Sequence, residues 1–392
     1  MTERFNPKIL YAWQHKEWGG AQIHFLQLAK ELRKNFEAEF AFPEQGSAGF
    51  NTLLSTQGFV HHKLPDREDS KPLLGLLSKL GFHLKKLRRD ISDARILLGK
   101  EWDVIHVDAG PWSNLTFLFL LSLKGPVFYT MHNRVTAPGA FRKLVWLLKH
   151  HLLAMLPRIY CLASNQDAKR GLRGTAPEWW IDSVKVTYTH VDLNEIDGVT
   201  KNLGEAEHEG FEICTVGAFI ERKGFRVLLT ALQALKETKP NVRALWIGPG
   251  ELSDEQNRMI SSFGLGEMFK YISMSELQNS RTKLLTLVAS ARLFCLPSYI
   301  EGLPIAVLES MALGTAVITT DVYGIPEAVT HGGSGYLISP GDSENLCRVF
   351  NQLLSSPNES VGVTTAARKV VEDRFNSSVV ARTLSSAYQS VL

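Results

Sequence analysis

Short apolar, β-branched runs alternate with longer segments of helical periodicity along almost the whole of this 392-residue chain. In the first half LYAWQ precedes AQIHFLQLAKEL, DVIHVD precedes NLTFLFLLSL, and VFYTMH precedes FRKLVWLLKHHLLAML. Such alternation specifies parallel sheets covered by helices. It pauses in the polar stretch DGVTKNLGEAEHEG, residues 197–210, and restarts with FEICTVGAF and KGFRVLLTALQALKE. Two domains are therefore expected, residues 1–200 and residues 201–392. In the second, strands are expected at FEICTVGAF, VRALWIG, FKYIS, LFCLPS, AVITTD and GYLIS, which makes a doubly wound Rossmann-like sheet. The stretch after Asp342 is helical in pattern and is divided by Pro357. Two such α/β domains facing one another place a ligand cleft at the carboxyl ends of their strands, so functional residues are sought in the loops that follow strands.

Composition narrows the function classes. With 43 Lys+Arg against 40 Asp+Glu and 44% hydrophobic residues, the chain is neither disordered nor fibrous. Its four cysteines form no Cys-x-x-Cys pair, and three lie in apolar runs, as reduced thiols do in a cytoplasmic protein. MTERFNPKILYAW lacks the features of a signal peptide, and the apolar run Leu115 to Leu123 is short of a bilayer span. Residues 1–200 carry 26 basic and 20 acidic side chains, whereas residues 201–392 carry 17 and 20. No nucleic-acid motif accompanies the basic half. An anionic membrane face is the partner that such a surface leaves open.

The segment PSYIEGLPIAVLESMALGTAVITTDVYGIPE, Pro297 to Glu327, holds the most chemistry. Leu296 ends a strand, Gly302 permits a tight turn, and Pro304 suits the first position of a helix. Amides near Gly302 and Leu303 then point, with the helix dipole, at an anion, and a diphosphate fits. Glu301 lies on the loop and Glu309 on the second helical turn, too separate to share a metal. They read as two hydrogen-bond acceptors for different hydroxyl groups.

This segment resembles the E-x7-E signature of the family 4 (group 1) nucleotide-sugar glycosyltransferases, through EGLP, the second Glu and the later GIPE. The resemblance implies the two-domain GT-B fold, with Glu301 approaching the donor sugar, Glu309 holding the ribose hydroxyls, and the amides around Gly302 and Leu303 lining the diphosphate site. A second match is VGAFIERKGFRVLL, Val216 to Leu229. There the resemblance puts Gly217 beside the donor, and Lys223, assisted by Arg222, against its diphosphate. Ala218 stands where the family commonly has a second clamping Arg. Gly19 and Gly20, between the first strand and first helix, correspond to the paired glycines next to the donor diphosphate and acceptor. His132 is similar in placement to the family's TxHD element, with Asn133 in place of Asp, and is implied near the reacting sugar and acceptor hydroxyl. VTYTHVDLNEI resembles the interdomain element that normally reads N-G-V-D, with Thr189 and His190 as departures. The match covers nearly the whole chain and is strongest from Glu212 to Asp342.

Other chemistries find little support. Gly248-Pro-Gly250 is an incomplete dinucleotide fingerprint, and neither Asp-x-Asp nor G-x-S-x-G occurs. Neither a metal site nor a cofactor is expected. Two amphipathic segments bear on the membrane. From Leu73 to Ile91 apolar residues fall on one stripe with Lys79, Lys85, Lys86 and Arg89 mostly opposite. From Phe141 to Met155 a second stripe runs through Leu144, Val145, Leu148 and Leu152, with Trp146 expected on the polar side beside Arg142, Lys143 and Lys149.

Together these features predict a retaining, metal-independent transferase of the cytoplasm or of the inner face of its membrane. The sugar would pass from a nucleoside diphosphate to a lipid-linked or cell-surface glycan acceptor, such as a lipopolysaccharide or exopolysaccharide precursor. The alternatives are a sugar-nucleotide-binding subunit of weak activity, or a nucleotide-sugar epimerase of the same fold.

Overall fold

A computed structural model describes residues 6–14, 20–43, 48–65, 76–108, 111–135, 139–203 and 210–392. The chain divides into two units, Met1–Tyr188 with Val380–Leu392, and Thr189–Val379.

The first unit runs β1 (Lys8–Ala12), α1 (Gly20–Leu32), β2 (Glu37–Pro43), α2 (Ala48–Thr56), β3 (Val60–Leu64), α3 (Leu76–Leu98) and β4 (Val104–Val107). It continues through α4 (Pro111–Ser122), β5 (Val127–Met131), α5 (Ala140–Ala154), β6 (Ile159–Ala163), α6 (Gln166–Arg170), α7 (Glu178–Ser183) and β7 (Lys185–Val186). Its seven strands form one sheet in the order β3-β2-β1-β4-β5-β6-β7, parallel at every pairing. Strands buried on both faces need unbroken apolar runs rather than alternation. VIHV and VFYTM, every residue of which is buried, meet that need.

The second unit holds α8 (Leu193–Asn202), β8 (Ile213–Val216), α9 (Phe225–Thr238), β9 (Ala244–Gly248), α10 (Asp254–Ser262), β10 (Phe269–Ser273), α11 (Arg281–Ser290) and β11 (Leu293–Leu296). Then follow α12 (Ile305–Leu313), β12 (Ala316–Thr320), β13 (Tyr336–Ile338), α13 (Ser343–Ser355) and α14 (Val361–Val370), and α15 (Ser377–Gln389) ends the helices of the chain. All six expected strands are present, in the parallel order β10-β9-β8-β11-β12-β13. Both units are thus the doubly wound α/β sheets expected from the sequence. Trp246 lies in the apolar core of this unit with Leu293 and Cys295, and Phe294 is likewise fully buried.

The division differs from the expected break between residues 200 and 201. Val191 donates its N–H to the Phe375 carbonyl at 2.9 Å and accepts from Ser377 N–H at 2.9 Å, and α8 packs on α11 and α12. Residues from Thr189 therefore belong with the second sheet. The far end of the chain is shared out differently as well. From Val380 onward α15 is part of the first unit, where Leu384 and Tyr388 are fully buried in a core with Ile9, Phe36, Val104 and Phe128. Helical periodicity shows that this segment has an apolar face but not which core receives it.

Removal of Leu384 as a packing group tests that assignment. Leu384→Ala is expected to cost about 2–5 kcal/mol, seen as a lowered midpoint of thermal unfolding for the transition that includes the first sheet.

Candidate active site

The strand order of the second sheet reverses between β8 and β11, the kind of point where an open α/β sheet leaves room for a ligand. The loops that leave these two strands are stitched together at close range. After β8, Glu221–Lys223 forms one 3-10 turn and Gly224 follows in the left-handed region, at φ 73°. A Cβ on Gly224 would lie 1.9 Å from the Pro297 carbonyl oxygen, so no other residue lets the turn approach β11 so closely. The Tyr299 N–H then donates to the Arg222 carbonyl at 2.9 Å, and Arg222 Nη1 donates to the Ile300 carbonyl at 3.3 Å.

This seam sets Glu301 among cations. Its carboxylate is buried, accepts from Lys223 Nζ, and accepts from Ser298 Oγ at 2.8 Å. Arg222 Nη1 is 3.9 Å from its second oxygen and remains 44% exposed. Gly217 lies beneath the Lys223 stem, where a Cβ would touch Lys223 Cε at 3.7 Å, and its carbonyl accepts from Trp246 Nε1 at 2.7 Å. Gly302 and Leu303 are buried at the entry to α12. Pro304 is the residue capping that helix, at ψ 128°, one place before the first helical position expected for it. A proline must hold φ near its ring-locked value, and the cap tolerates this without needing its absent N–H.

Glu309, on the second turn of α12, is 3% exposed. It faces Arg281, whose Nη2 donates to Glu309 Oε1. The Arg281 Nε in turn donates to both oxygens of Glu195 on α8, at 2.8 and 2.9 Å. Burial pushes the Glu309 carboxyl pKa up, while Arg281 pulls it down. Neither Arg281 nor Glu195 was a candidate from the sequence, for no motif marks a cation on α11 as the partner of a carboxylate 28 residues later. Ser298, three residues before Glu301, lies inside the expected segment.

In the first unit Gly20 opens α1 and is exposed, while Gly19 lies outside the described residues. His132 follows β5, with Nε2 3.2 Å from Asp108 Oδ1, and its carbonyl accepts from Ser164 Oγ and Asn165 Nδ2 at 3.1 and 3.2 Å. Asp108 leaves β4 beside β1, the pair at which the order of the first sheet reverses. Its signal was its place at the end of DVIHVD. Deeper in, burial lowers the His106 pKa to about 3, so the ring stays neutral between Tyr388 and Thr130 at 2.6 and 2.8 Å.

The described part of each amphipathic helix exposes large apolar side chains that a soluble helix would turn inward. On α5 the buried side chains are His150 and Leu153, and Phe141, Leu144, Leu148, Leu152 and Met155 are exposed, the first and last by 78%. Trp146 does not stand out on the polar side. Its ring packs on His150 with centroids 4.9 Å apart. On α3 Leu84 and Leu87 are exposed while Asp90, Asp93 and Leu97 are buried; the side chains of its stripe before Leu84 lie outside the described ones. Burial and, to a lesser extent, the positive charge of Lys86 lower the Lys149 pKa. Among the described residues no helix is long and apolar enough to cross a membrane.

Residues 201–370 match the family described as glycosyl transferases group 1, the family whose E-x7-E signature the sequence resembles. The chain is 29% identical over 206 residues to the amylovoran biosynthesis glycosyltransferase AmsK of Erwinia amylovora, covering 51% of this chain and 49% of that protein. It thus spans about half the length of that relative. It is 26% identical over 389 residues to the phosphatidyl-myo-inositol mannosyltransferase of Mycolicibacterium smegmatis, covering 95% and 90%. The crystal structure of Anabaena HepE in complex with UDP and glucose superposes with a TM-score of 0.74 at 18% identity, over 98% of this chain and all (100%) of that one. The fold is therefore the expected GT-B fold of two Rossmann-like domains.

Gly224→Ala is expected to destabilise the protein by about 2 kcal/mol or more through backbone strain and the clash with Pro297. Chemical denaturation checks this, and a loss below about 0.5 kcal/mol would show that the seam opens freely.

Proposed function

We propose, on the premise that residues 201–370 are a group 1 glycosyl transferase segment, that this chain moves a sugar from a nucleoside diphosphate to an acceptor hydroxyl. In this reading the anomeric configuration is kept and no metal ion is needed. The observation that carries it is the seam itself, with Glu301 buried beside Lys223 and Arg222 where the strand order reverses. Lys223 and Arg222 take up the diphosphate charge that grows as the bond to the anomeric carbon breaks, aided by the amides at the start of α12. Fixed cations in that position supply what a bridging metal would supply elsewhere, which supports metal independence. With Ala218 offering no guanidinium, Arg222 serves as the second clamp.

Glu309 accepts from the ribose hydroxyls, and Glu301 and His132 position the reacting sugar. Glu301 is already engaged by Lys223 and Ser298. That favours a role as a fixed acceptor over one as a covalent nucleophile, and so favours attack on the face the diphosphate leaves, with a departing phosphate oxygen taking the acceptor proton. The UDP and glucose in the HepE complex support a nucleotide-sugar donor. AmsK and the mannosyltransferase are named for a polysaccharide and a phosphatidyl lipid, in keeping with a lipid-linked or cell-surface glycan acceptor. The outward apolar faces of α3 and α5, flanked by Lys85, Lys86, Arg142, Lys143 and Lys149, fit the inner leaflet of the cytoplasmic membrane as a docking surface.

Calorimetric titration with UDP, GDP and ADP in the absence of divalent metal is expected to show preferential binding of one nucleotide. Glu309→Ala should weaken it by about 1.5–3 kcal/mol, as for a lost hydrogen bond to a charged group; unchanged affinity would remove the ribose role. Co-sedimentation with phosphatidylglycerol vesicles at low salt is expected, and should fall on adding salt or in Leu148→Glu. A protein that stays in the supernatant at low salt would end the membrane part of the proposal.

A further inference from the structure

We propose that Arg281 is a positioning residue that keeps the Glu309 carboxylate ionised and aimed for nucleotide binding, and that Glu195 opposes it by drawing on the same guanidinium. The inference rests on the reading of Glu309 as the ribose acceptor. It starts from an imbalance of charge. Arg281 and Glu309 are packed between α8, α11 and α12, and one guanidinium serves two carboxylates there. The Arg281 and Glu309 side chains are 19% and 4% exposed. A carboxylate so removed from water holds its charge only with a partner close by.

The neighbouring elements offer Glu309 no second cation among the described residues. Arg368 of α14, which also packs on α12, is committed to Asp197 at 2.8 Å, to Glu372 at 2.7 Å and to the Ala312 carbonyl at 2.8 Å. Lys223 is taken by Glu301. Glu195 accepts from the Arg281 Nε through both of its oxygens, while Nη2 of the same guanidinium donates to Glu309, so the two carboxylates share one cation. The fork geometry of Arg makes this double use feasible.

The signs follow from the same contacts. Burial and Glu195 raise the Glu309 pKa, and Arg281 lowers it. Only the ionised carboxylate offers both oxygens as strong acceptors to ribose hydroxyls. Nucleotide affinity should therefore fall as pH drops through the Glu309 pKa. Loss of Arg281 should move that acid limb to higher pH, and loss of the Glu195 charge should move it to lower pH.

The test is the affinity for whichever of UDP, GDP and ADP binds best, followed by calorimetry from pH 5 to 8.5, with Glu309→Gln as the baseline for titration of the phosphate. Arg281→Met is expected to bind at least tenfold more weakly at pH 6 and to recover as pH rises. Arg281→Lys should restore most of the loss, and Glu195→Gln should shift the limb the opposite way. Arg281→Gln, which keeps amide donors without the charge, replaces Arg281→Met should the latter fail to fold. Limbs that coincide with the wild type in the Arg281 and Glu195 variants would overturn the inference, as would a pH-independent loss in Arg281→Met, the mark of a merely structural role. If instead Glu309→Ala leaves nucleotide binding unchanged, it is the ribose reading that fails.

Discussion

The contact between Gly224 and Pro297 is the constraint on which the rest of the second unit's chemistry depends. Two parallel strands that neighbour one another in a sheet send their following chains to opposite faces when the order reverses between them, so the loops diverge. Bringing Lys223 onto Glu301 requires closing that gap. Absence of a Cβ at Gly224 closes it, and the Tyr299 to Arg222 hydrogen bond holds it. The side-chain pairs Lys223–Glu301 and Ser298–Glu301 are then consequences of backbone proximity. Were they instead asked to create that proximity, they would have to offset the rotamer entropy of a lysine and a glutamate together, which a single ion pair seldom does.

A second layer of buried charge lies behind the seam. Glu309 and Arg281 come from helices that the chain separates, and both lose most of their hydration. Replacing such groups with apolar ones is often neutral or stabilising for a fold. Stability alone therefore does not account for a buried pair between α11 and α12. In the first unit the same economy recurs on a smaller scale. His106 is buried neutral between Thr130 and Tyr388, whereas Asp108 and His132 sit nearer the strand ends, where His132 keeps 27% of its side chain exposed.

Much of the fold was legible because each strand is a local event. FKYIS or AVITTD is recognisable as a buried strand from its own composition, and the glycines and prolines between such runs punctuate them. Glu301, Lys223 and Arg222 were legible as candidates because they stand in loops or turns after strands, and Glu309 because it lies at motif spacing from Glu301, on the second turn of a helix. Arg281 was not, since its bonds to Glu195 and Glu309 form only when α8, α11 and α12 pack, and nothing in SRTKLL distinguishes it from a solvated first turn. Likewise, the periodicity of residues after Ser377 reveals an apolar face without revealing that Leu384 and Tyr388 fill the first core. The domain boundary moved for the same reason, because Val191 finds its backbone partners at Phe375 and Ser377, far along the chain.

The helix α5 shows how far periodicity alone can be trusted. Its stripe of Phe141, Leu144, Leu148, Leu152 and Met155 was visible in the sequence, but a stripe has no sign until packing says which way it faces. Here the inward side carries His150, with its ring between Trp146 and Trp180 and its Nδ1 3.1 Å from the Thr175 carbonyl. The apolar side is left to the outside. In water that orientation forfeits the burial of several large side chains, each of which could contribute roughly 1.5–3 kcal/mol if covered. The fold thus fills inward positions with a hydrogen-bonded imidazole and leaves phenylalanine and leucine outward among lysines.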